Sequence, residues 1–335
     1  MRSPLDVPRP RADRPQMARS KNSKRKKHQT SNLEGTRCGR VTGRVGPVFL
    51  VETESTRETT CIARGAGKRA VVGDRVRYMP GVDSDLAEGL IVEVEERQSE
   101  LVRRDALGKR QQVLAANVDK IMIVSAVEPT LREGLIDRYI VAAEFQGIAA
   151  ELIINKMDLL SADEVQELQS RLGHYPALGY PVHCVSAVTA SGLAQTLESL
   201  GASTSILVGH SGVGKTSLIN QICPGVSEKV QAISEATGRG QHTTTTSALY
   251  RLPLGGEVID SPGVRSFGLW GIEADGLRDY FREFADYQPD CRFGDCQHVS
   301  EPRCAVRAAV DAEQIHPTRY QSYLNIRDSL LGDEG

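Results

Sequence analysis

Residues 209–216 read Gly-His-Ser-Gly-Val-Gly-Lys-Thr, the pattern G-x-x-x-x-G-K-[ST], set between an apolar run and a helical one. Chemistry for phosphate follows from those residue types. Glycines let successive backbone N–H groups turn inward around phosphate oxygens, and the helix N-terminus adds partial positive charge. Lys215 would reach the β- and γ-phosphates, and the Thr216 hydroxyl would serve Mg²⁺. The candidate phosphate-binding set is Gly209, His210, Ser211, Gly212, Val213, Gly214, Lys215, Thr216 and Ser217. The bland alternative is a glycine-rich strand–helix turn without a ligand.

A nucleoside triphosphate needs a base, and Asn155-Lys156-Met157-Asp158 supplies a reader for it. An aspartate carboxylate accepts from both N1–H and the 2-amino group of guanine. Adenine offers an acceptor at N1 and no 2-amino group, so it would leave the carboxylate unpaired. The Lys156 stem can lie along the base. Val185-Ser186-Ala187 suits a loop whose backbone N–H meets guanine O6, with Ser186 and Ala187 as candidates. Asp260-Ser-Pro-Gly263 ends another apolar run. There Asp260 can hold Mg²⁺ through water and the Gly263 N–H can sense a γ-phosphate, although an Asp-Pro-Gly turn is also ordinary punctuation. Between these lies 238–246, a glycine-flanked run of four threonines with His242 before it, suited to a mobile switch that closes on Mg²⁺. Thr244 is favoured for that contact; a flexible loop is the alternative.

A second chemistry lies near the C-terminus. Cys291-x₄-Cys296-x-His298-x₅-Cys304 offers three thiolates and one imidazole, the donor set of one closed, structural, tetrahedral Zn²⁺. The other four cysteines are scattered, and the total of seven is odd. No apolar stretch follows the N-terminal positive charges, so an export signal is not expected. Reduced thiols and a cytoplasmic location are expected instead.

These groups need elements to hold them. Short β-rich runs at 40–45, 48–51, 59–63, 74–78 and 89–94 predict a small barrel of the five-stranded OB type. From 118 the texture alternates: apolar runs at 120–126, 151–154, 182–185, 204–208 and 257–259 are interleaved with helical stretches near 135–145, 162–172, 192–200 and from 214. That is an α/β sheet with helices on both faces. Beyond residue 270 the chain reads as helical. The expected organisation is a basic disordered arm over 1–35, an OB-fold barrel over 36–100, a linker over 101–117, a nucleotide domain over 118–272 and a helical zinc-binding domain over 273–335.

Charge is split along the chain. Residues 1–33 carry ten Lys/Arg against two Asp, a net +8, which leaves 31 basic and 41 acidic residues, a net −10, in the remainder. The overall balance of −2 therefore does not exclude a nucleic-acid partner. No apolar run is long enough to span a membrane, and a membrane partner is not expected.

The five nucleotide elements resemble those of translation-factor-class GTPases, in an unusual order: the N-K-x-D element and Ser186 precede the P-loop, and the switch and Asp260 come last. The α/β P-loop domain thus looks circularly permuted, which closely spaced domain termini allow. With a barrel before it and a Cys/His cluster after it, the chain resembles the bacterial RsgA-type GTPases over roughly 36–327. The segments 240–245 (Gly-Gln-His-Thr-Thr-Thr), 260–265 (Asp-Ser-Pro-Gly-Val-Arg), 267–270 (Phe-Gly-Leu-Trp) and 291–296 (Cys-Arg-Phe-Gly-Asp-Cys) fit that pattern. Departures are Arg303, where glycine is expected, and the Pro/Arg-rich extension before Ala18. The resemblance implies a GTP/GDP-binding, Mg²⁺-dependent GTP hydrolase acting in late assembly of the small (30S) ribosomal subunit. It implies contact with 16S rRNA and a monomeric chain. Position 264 is valine, where ordinary GTPases carry the glutamine that orients the attacking water. His242 is the expected substitute, and the resemblance implies the same assignment. A nucleic-acid-binding regulator using GTP only as a structural ligand and a metabolic P-loop kinase are the competing classes. Asp158 argues against the kinase by selecting guanine.

Overall fold

The computed structural model describes residues 34–55, 57–81, 87–104, 111–223, 226, 247–261, 269 and 271–332. The basic arm over 1–33 and the switch segment 238–246, with His242 and Thr244, lie outside the described residues, as do Gly263 and the rest of 262–268.

Five strands close the barrel: β1 (Arg37–Val45), β2 (Val48–Thr53), β3 (Glu58–Ala63), β4 (Arg75–Pro80) and β5 (Gly89–Val94). Antiparallel ladders join β1–β2, β2–β3, β4–β5 and β1–β4, and the parallel β3–β5 pairing completes the circuit 1-2-3-5-4-1. This is OB-type closure, and it leaves no free edge within the ring. Val41, Val51, Cys61, Val76, Tyr78 and Ile91 fill the interior. Buried Asp74 pins the ring's end, accepting from the Val71 N–H at 2.8 Å and from Arg97 Nε at 2.7 Å.

The stretch expected as a linker is an element in its own right. β6 (Glu100–Arg104) and β7 (Gln111–Ala116) form an antiparallel ladder, and Leu101, Ala115 and Ala116 are fully buried.

The α/β domain is built on β8 (Lys120–Ala126), β9 (Ala149–Asn155), β10 (Val182–Cys184), β11 (Thr204–Val208), β12 (Ser247–Arg251) and β13 (Glu257–Asp260). Their spatial order is β10-β9-β8-β11-β13-β12. The first five run parallel and β12 is antiparallel. The chain therefore enters this sheet in its middle, at β8, as a circular permutation requires. Alternate residues serve opposite faces: Ile121, Ile123, Leu152, Ile154, Ile206 and Ile259 face one core, and Met122, Val124, Ile153, Leu207 and Val258 the other. The helices α1 (Glu133–Gln146), α2 (Ala162–Leu172), α3 (His174–Ala177), α4 (Leu193–Leu200) and α5 (Lys215–Ile222) complete the domain. Ser161 starts α2 with a capping box closed by Glu164.

Barrel and α/β sheet are continuous. Strand β12 pairs with barrel strand β1, Gly43 opposite Ala248 and Arg44 opposite Ser247, giving one sheet of eleven strands. Arg40 reinforces the joint by pairing with Glu257 and donating to Thr204 Oγ1 at 3.0 Å, and Arg251 Nη2 meets both carboxylate oxygens of Glu52 at 2.7 Å.

Beyond residue 270, short 3₁₀ turns (Ala274–Tyr280, Arg282–Phe284, Gln288–Asp290) precede α6 (Ala305–Asp311) and α7 (Pro317–Gly332). This module is anchored by Arg319, which is fully buried. Arg319 Nη1 donates to Asp137 of α1 at 2.7 Å and Nε donates to Glu283 at 2.6 Å. Tyr175 of α3 also donates to Asp137, at 2.8 Å. Among the described residues, no helix is long and apolar enough to cross a membrane.

Candidate functional site

Five parallel strands place their carboxyl ends on one edge of the sheet, where α/β folds bind ligands. Register fixes which residues gather there: Asn155 lies opposite Ala126 at the ends of β9 and β8, and β11 ends at Val208, directly before Gly209. Asp260 closes β13 on the same edge, and Val185-Ser186-Ala187 follow β10.

Three glycines of the 209–216 loop, Gly209, Gly212 and Gly214, have positive φ. Gly209 has φ +147, and a Cβ there would overlap the Val124 carbonyl oxygen. Gly214, at φ +91, is the N-cap of α5, and a Cβ there would overlap the Asn155 side-chain amide. Both positions therefore require glycine. Lys215 Nζ donates to the carbonyls of Gly209 and His210, each at 2.7 Å, so its ammonium lies across the loop. Thr216 and Ser217 are exposed on the first turn of α5, while Val213 is buried beneath the loop.

Sequence spacing alone does not reveal what Asn155 does. Its side chain is buried: Nδ2 donates to the Val213 carbonyl at 3.0 Å, and Oδ1 accepts from the Ala187 N–H at 3.1 Å. One amide thus ties the 209–216, 155–158 and 185–189 loops together. Asp158 is exposed and accepts from Ser186 Oγ, which itself accepts from the N–H groups of Val188 and Thr189 at 3.2 and 3.1 Å. Lys156 takes a left-handed backbone, φ +66, and starts the 3₁₀ turn Met157–Leu159 that presents Asp158. At the other end of the edge, Ser261 meets Ser247 at 2.9 Å, joining the residue after Asp260 to the start of β12. His242, Thr244 and Gly263 belong to the segments outside the described residues.

The Cys/His cluster also assembles. The ligand atoms of Cys291, Cys296, His298 and Cys304 all lie within 4.8 Å of one another. His298 Nδ1 is 3.3 Å from Cys304 Sγ and 3.7 Å from Cys291 Sγ, and those two sulfurs are 3.9 Å apart. Tetrahedral zinc with Zn–S near 2.3 Å needs spacings of this order. Burial pushes the Cys296 thiol up to about 12, and burial with nearby Arg278 lowers His298 to about 4, leaving a neutral imidazole able to ligate. The surroundings fix the loops. Tyr320 OH donates to the His298 carbonyl and Arg278 Nη1 to the Cys296 carbonyl, both at 2.7 Å. Burial raises the Glu301 carboxyl, but the N–H groups of Gln297, Val299 and Ser300 outweigh it and hold it down to about 2. The set of three thiols and one imidazole fits a single structural zinc.

Arg303, where the sequence pattern leads one to expect glycine, has φ +56. A side chain in the left-handed region costs roughly 1–2 kcal/mol. Arg303→Gly should therefore raise stability by about 1 kcal/mol, read from denaturant unfolding of the zinc-loaded protein; a loss of stability would refute the strain.

Against known proteins, the model of the RsgA GTPase family matches residues 94–270. A relative called "Small ribosomal subunit biogenesis GTPase RsgA", from Actinobacillus pleuropneumoniae serotype 5b (strain L20), is 45% identical over 280 residues, covering 83% of this chain and 81% of the relative. One of the same name from Haemophilus influenzae (strain 86-028NP) is 42% identical over 281 residues, covering 84% and 81%. Among solved structures, YjeQ from Thermotoga maritima superposes with a TM-score of 0.71 at 33% identity, covering 89% of this chain and 99% of that one. YloQ, described as a circularly permuted GTPase, gives 0.68 at 27% identity, covering 90% and 97%.

Proposed function

The chain belongs to the RsgA GTPase family, and from that membership we propose that it hydrolyses GTP on the small (30S) ribosomal subunit during late subunit assembly. The observation that supports this reading is the Asn155 bridge, which holds the 209–216, 155–158 and 185–189 loops as one unit.

In this reading Asp158 accepts from guanine N1–H and the 2-amino group, Lys156 lies along the base, and the Ser186–Ala187 loop meets O6. Gly209 to Ser217 cradle the phosphates, with Lys215 at the β- and γ-phosphates. Thr216, Asp260 and Thr244 hold Mg²⁺, which neutralises charge on the phosphate oxygens when bound. Gly263 senses the γ-phosphate, and His242 orients the attacking water where Val264 cannot. One zinc at Cys291, Cys296, His298 and Cys304 is structural, since four protein ligands leave no open position. The basic arm, barrel (36–100) and zinc-binding domain (273–335) are the surfaces for 16S rRNA, flanking the 118–272 domain. The chain acts as a cytoplasmic monomer.

His242→Ala should leave GTP affinity unchanged and remove about 10²-fold or more of the subunit-stimulated turnover, the usual scale for a positioned catalytic group. The measurement is single-turnover GTP hydrolysis with and without isolated small subunits. Absence of stimulation in the wild type at low salt would overturn the ribosomal reading. Unchanged turnover in the variant would remove His242 from catalysis.

A further inference from the structure

The four residues between the first two metal-ligand positions carry groups that the metal cluster does not use. Phe293 is 40% exposed, whereas Phe49, Phe281 and Phe284 are buried. The loop that carries it is short and fixed at both ends. Cys291 and Cys296 belong to the cluster, the Cys296 N–H donates to the Phe293 carbonyl at 3.2 Å, and the Arg292 N–H donates to the Arg303 carbonyl at 3.3 Å. The ring is therefore presented on a rigid support. The Arg292 guanidinium lies 5.2 Å from its centroid, in cation–π contact.

Arg303 stands beside Arg292 through that backbone bond, exposed and in a strained left-handed backbone. Neither guanidinium makes an ion pair or hydrogen bond among the described residues. Asp290 and Asp295 flank the loop without pairing with either. The Glu301 carboxylate, the other nearby acid, is taken up by backbone N–H groups. An exposed aromatic face on a rigid loop, next to two unpaired guanidinium groups, matches an unstacked base with its flanking phosphates.

We propose that Phe293, together with Arg292 and Arg303, is a stacking platform for an unpaired base of single-stranded RNA. The platform deepens the ribosomal reading above and rests on it for the source of the RNA. Its chemistry needs only the base and its phosphates.

The test uses the full-length, zinc-loaded protein and a short uridine-rich single-stranded RNA carrying one 2-aminopurine. Stacking on Phe293 should quench the 2-aminopurine in the wild type and in Phe293→Tyr. Phe293→Ala should abolish the quench and weaken binding about tenfold. Arg303→Gly should weaken binding severalfold and lower the salt slope by about 0.7, one phosphate contact. Zinc content and far-UV circular dichroism accompany each variant. If Phe293→Ala loses zinc, Phe293→Tyr and Arg303→Gly decide: an unchanged salt slope with Arg303→Gly, or no quench with Phe293→Tyr, overturns the platform. An undiminished quench in zinc-loaded Phe293→Ala overturns it as well. Weakened binding to isolated small subunits with an unaltered RNA quench would assign the ring to a protein partner and also overturn it. Hydrolysis stimulated equally in wild type and Phe293→Ala, with no quench in either, sinks the platform and leaves the ribosomal reading standing. A Phe293-dependent quench without subunit stimulation does the reverse.

Discussion

Asp158→Asn should exchange the protein's preference for GTP for a preference for XTP, with GTP binding weakened about a hundredfold or more. The carboxylate is expected to accept two hydrogen bonds from guanine, and a hydrogen bond to a charged group contributes about 1.5–3 kcal/mol. An amide replaces one acceptor with an N–H donor, which faces the donors of guanine and leaves both sides unpaired. Xanthine has a carbonyl where guanine has its 2-amino group, so the new donor finds an acceptor. The loop should survive the change, because Asn Oδ1 can still accept from Ser186 Oγ, whose own acceptor role toward Val188 and Thr189 is untouched. Competition between GTP and XTP, read by displacement of a fluorescent nucleotide, measures the effect. An unchanged ratio would mean that Asp158 does not read the base.

Arg319→Ala should be the most destabilising single substitution proposed here, at about 3–5 kcal/mol. Arg319, Asp137 and Glu283 are buried together, and the guanidinium donates to both carboxylates. Removing it strands two negative charges away from water, and Asp137 Oδ2 already lacks a partner. The same side chain joins the metal-binding module to α1 and, through Asp137, to Tyr175, so the loss would fall on the junction between modules. The thermal midpoint should drop by about 10 °C. Restoring a positive charge with Arg319→Lys should recover only part of the loss, since an ammonium cannot reproduce the two-sided fork. A midpoint within a degree of wild type for the alanine variant would refute the anchor.

Arg319 also shows where sequence reasoning stops. Its partners lie 36 and 182 positions away, and a lone arginine in a helical stretch reads as surface charge. The nucleotide motifs stand out in the sequence because each is local: eight consecutive residues form the G-x-x-x-x-G-K-[ST] pattern, and four form N-K-x-D. The metal cluster was legible for the same reason, its ligands falling within fourteen residues. Strand β5 at 89–94, helix α2 at 162–172 and strand β11 at 204–208 have the predicted limits, each bounded by turn residues or a cap. Strand β12 was missed, because Ser-Ala-Leu-Tyr-Arg is too short to show a period and follows a polar run. The β6–β7 ladder was read as a linker, because a two-stranded element buries only part of its length. The structural use of Asn155 was hidden too: a motif names the residue, but its hydrogen-bond partners are 58 and 32 positions distant.

The ladder between β1 and β12 bears on what can be cut from this chain. Strand β12 is the outermost strand of the nucleotide sheet, with Ala248, Leu249 and Tyr250 buried along it. The barrel shields the first part of that border, and the Arg251–Glu52 bridge stands beside the last. A fragment starting after residue 117 would keep every ligand group named for GTP. It would also offer the unpaired donors and acceptors of β12 to the next molecule, and such borders recruit further strands. The barrel is thus a guard against self-assembly for the domain that follows it.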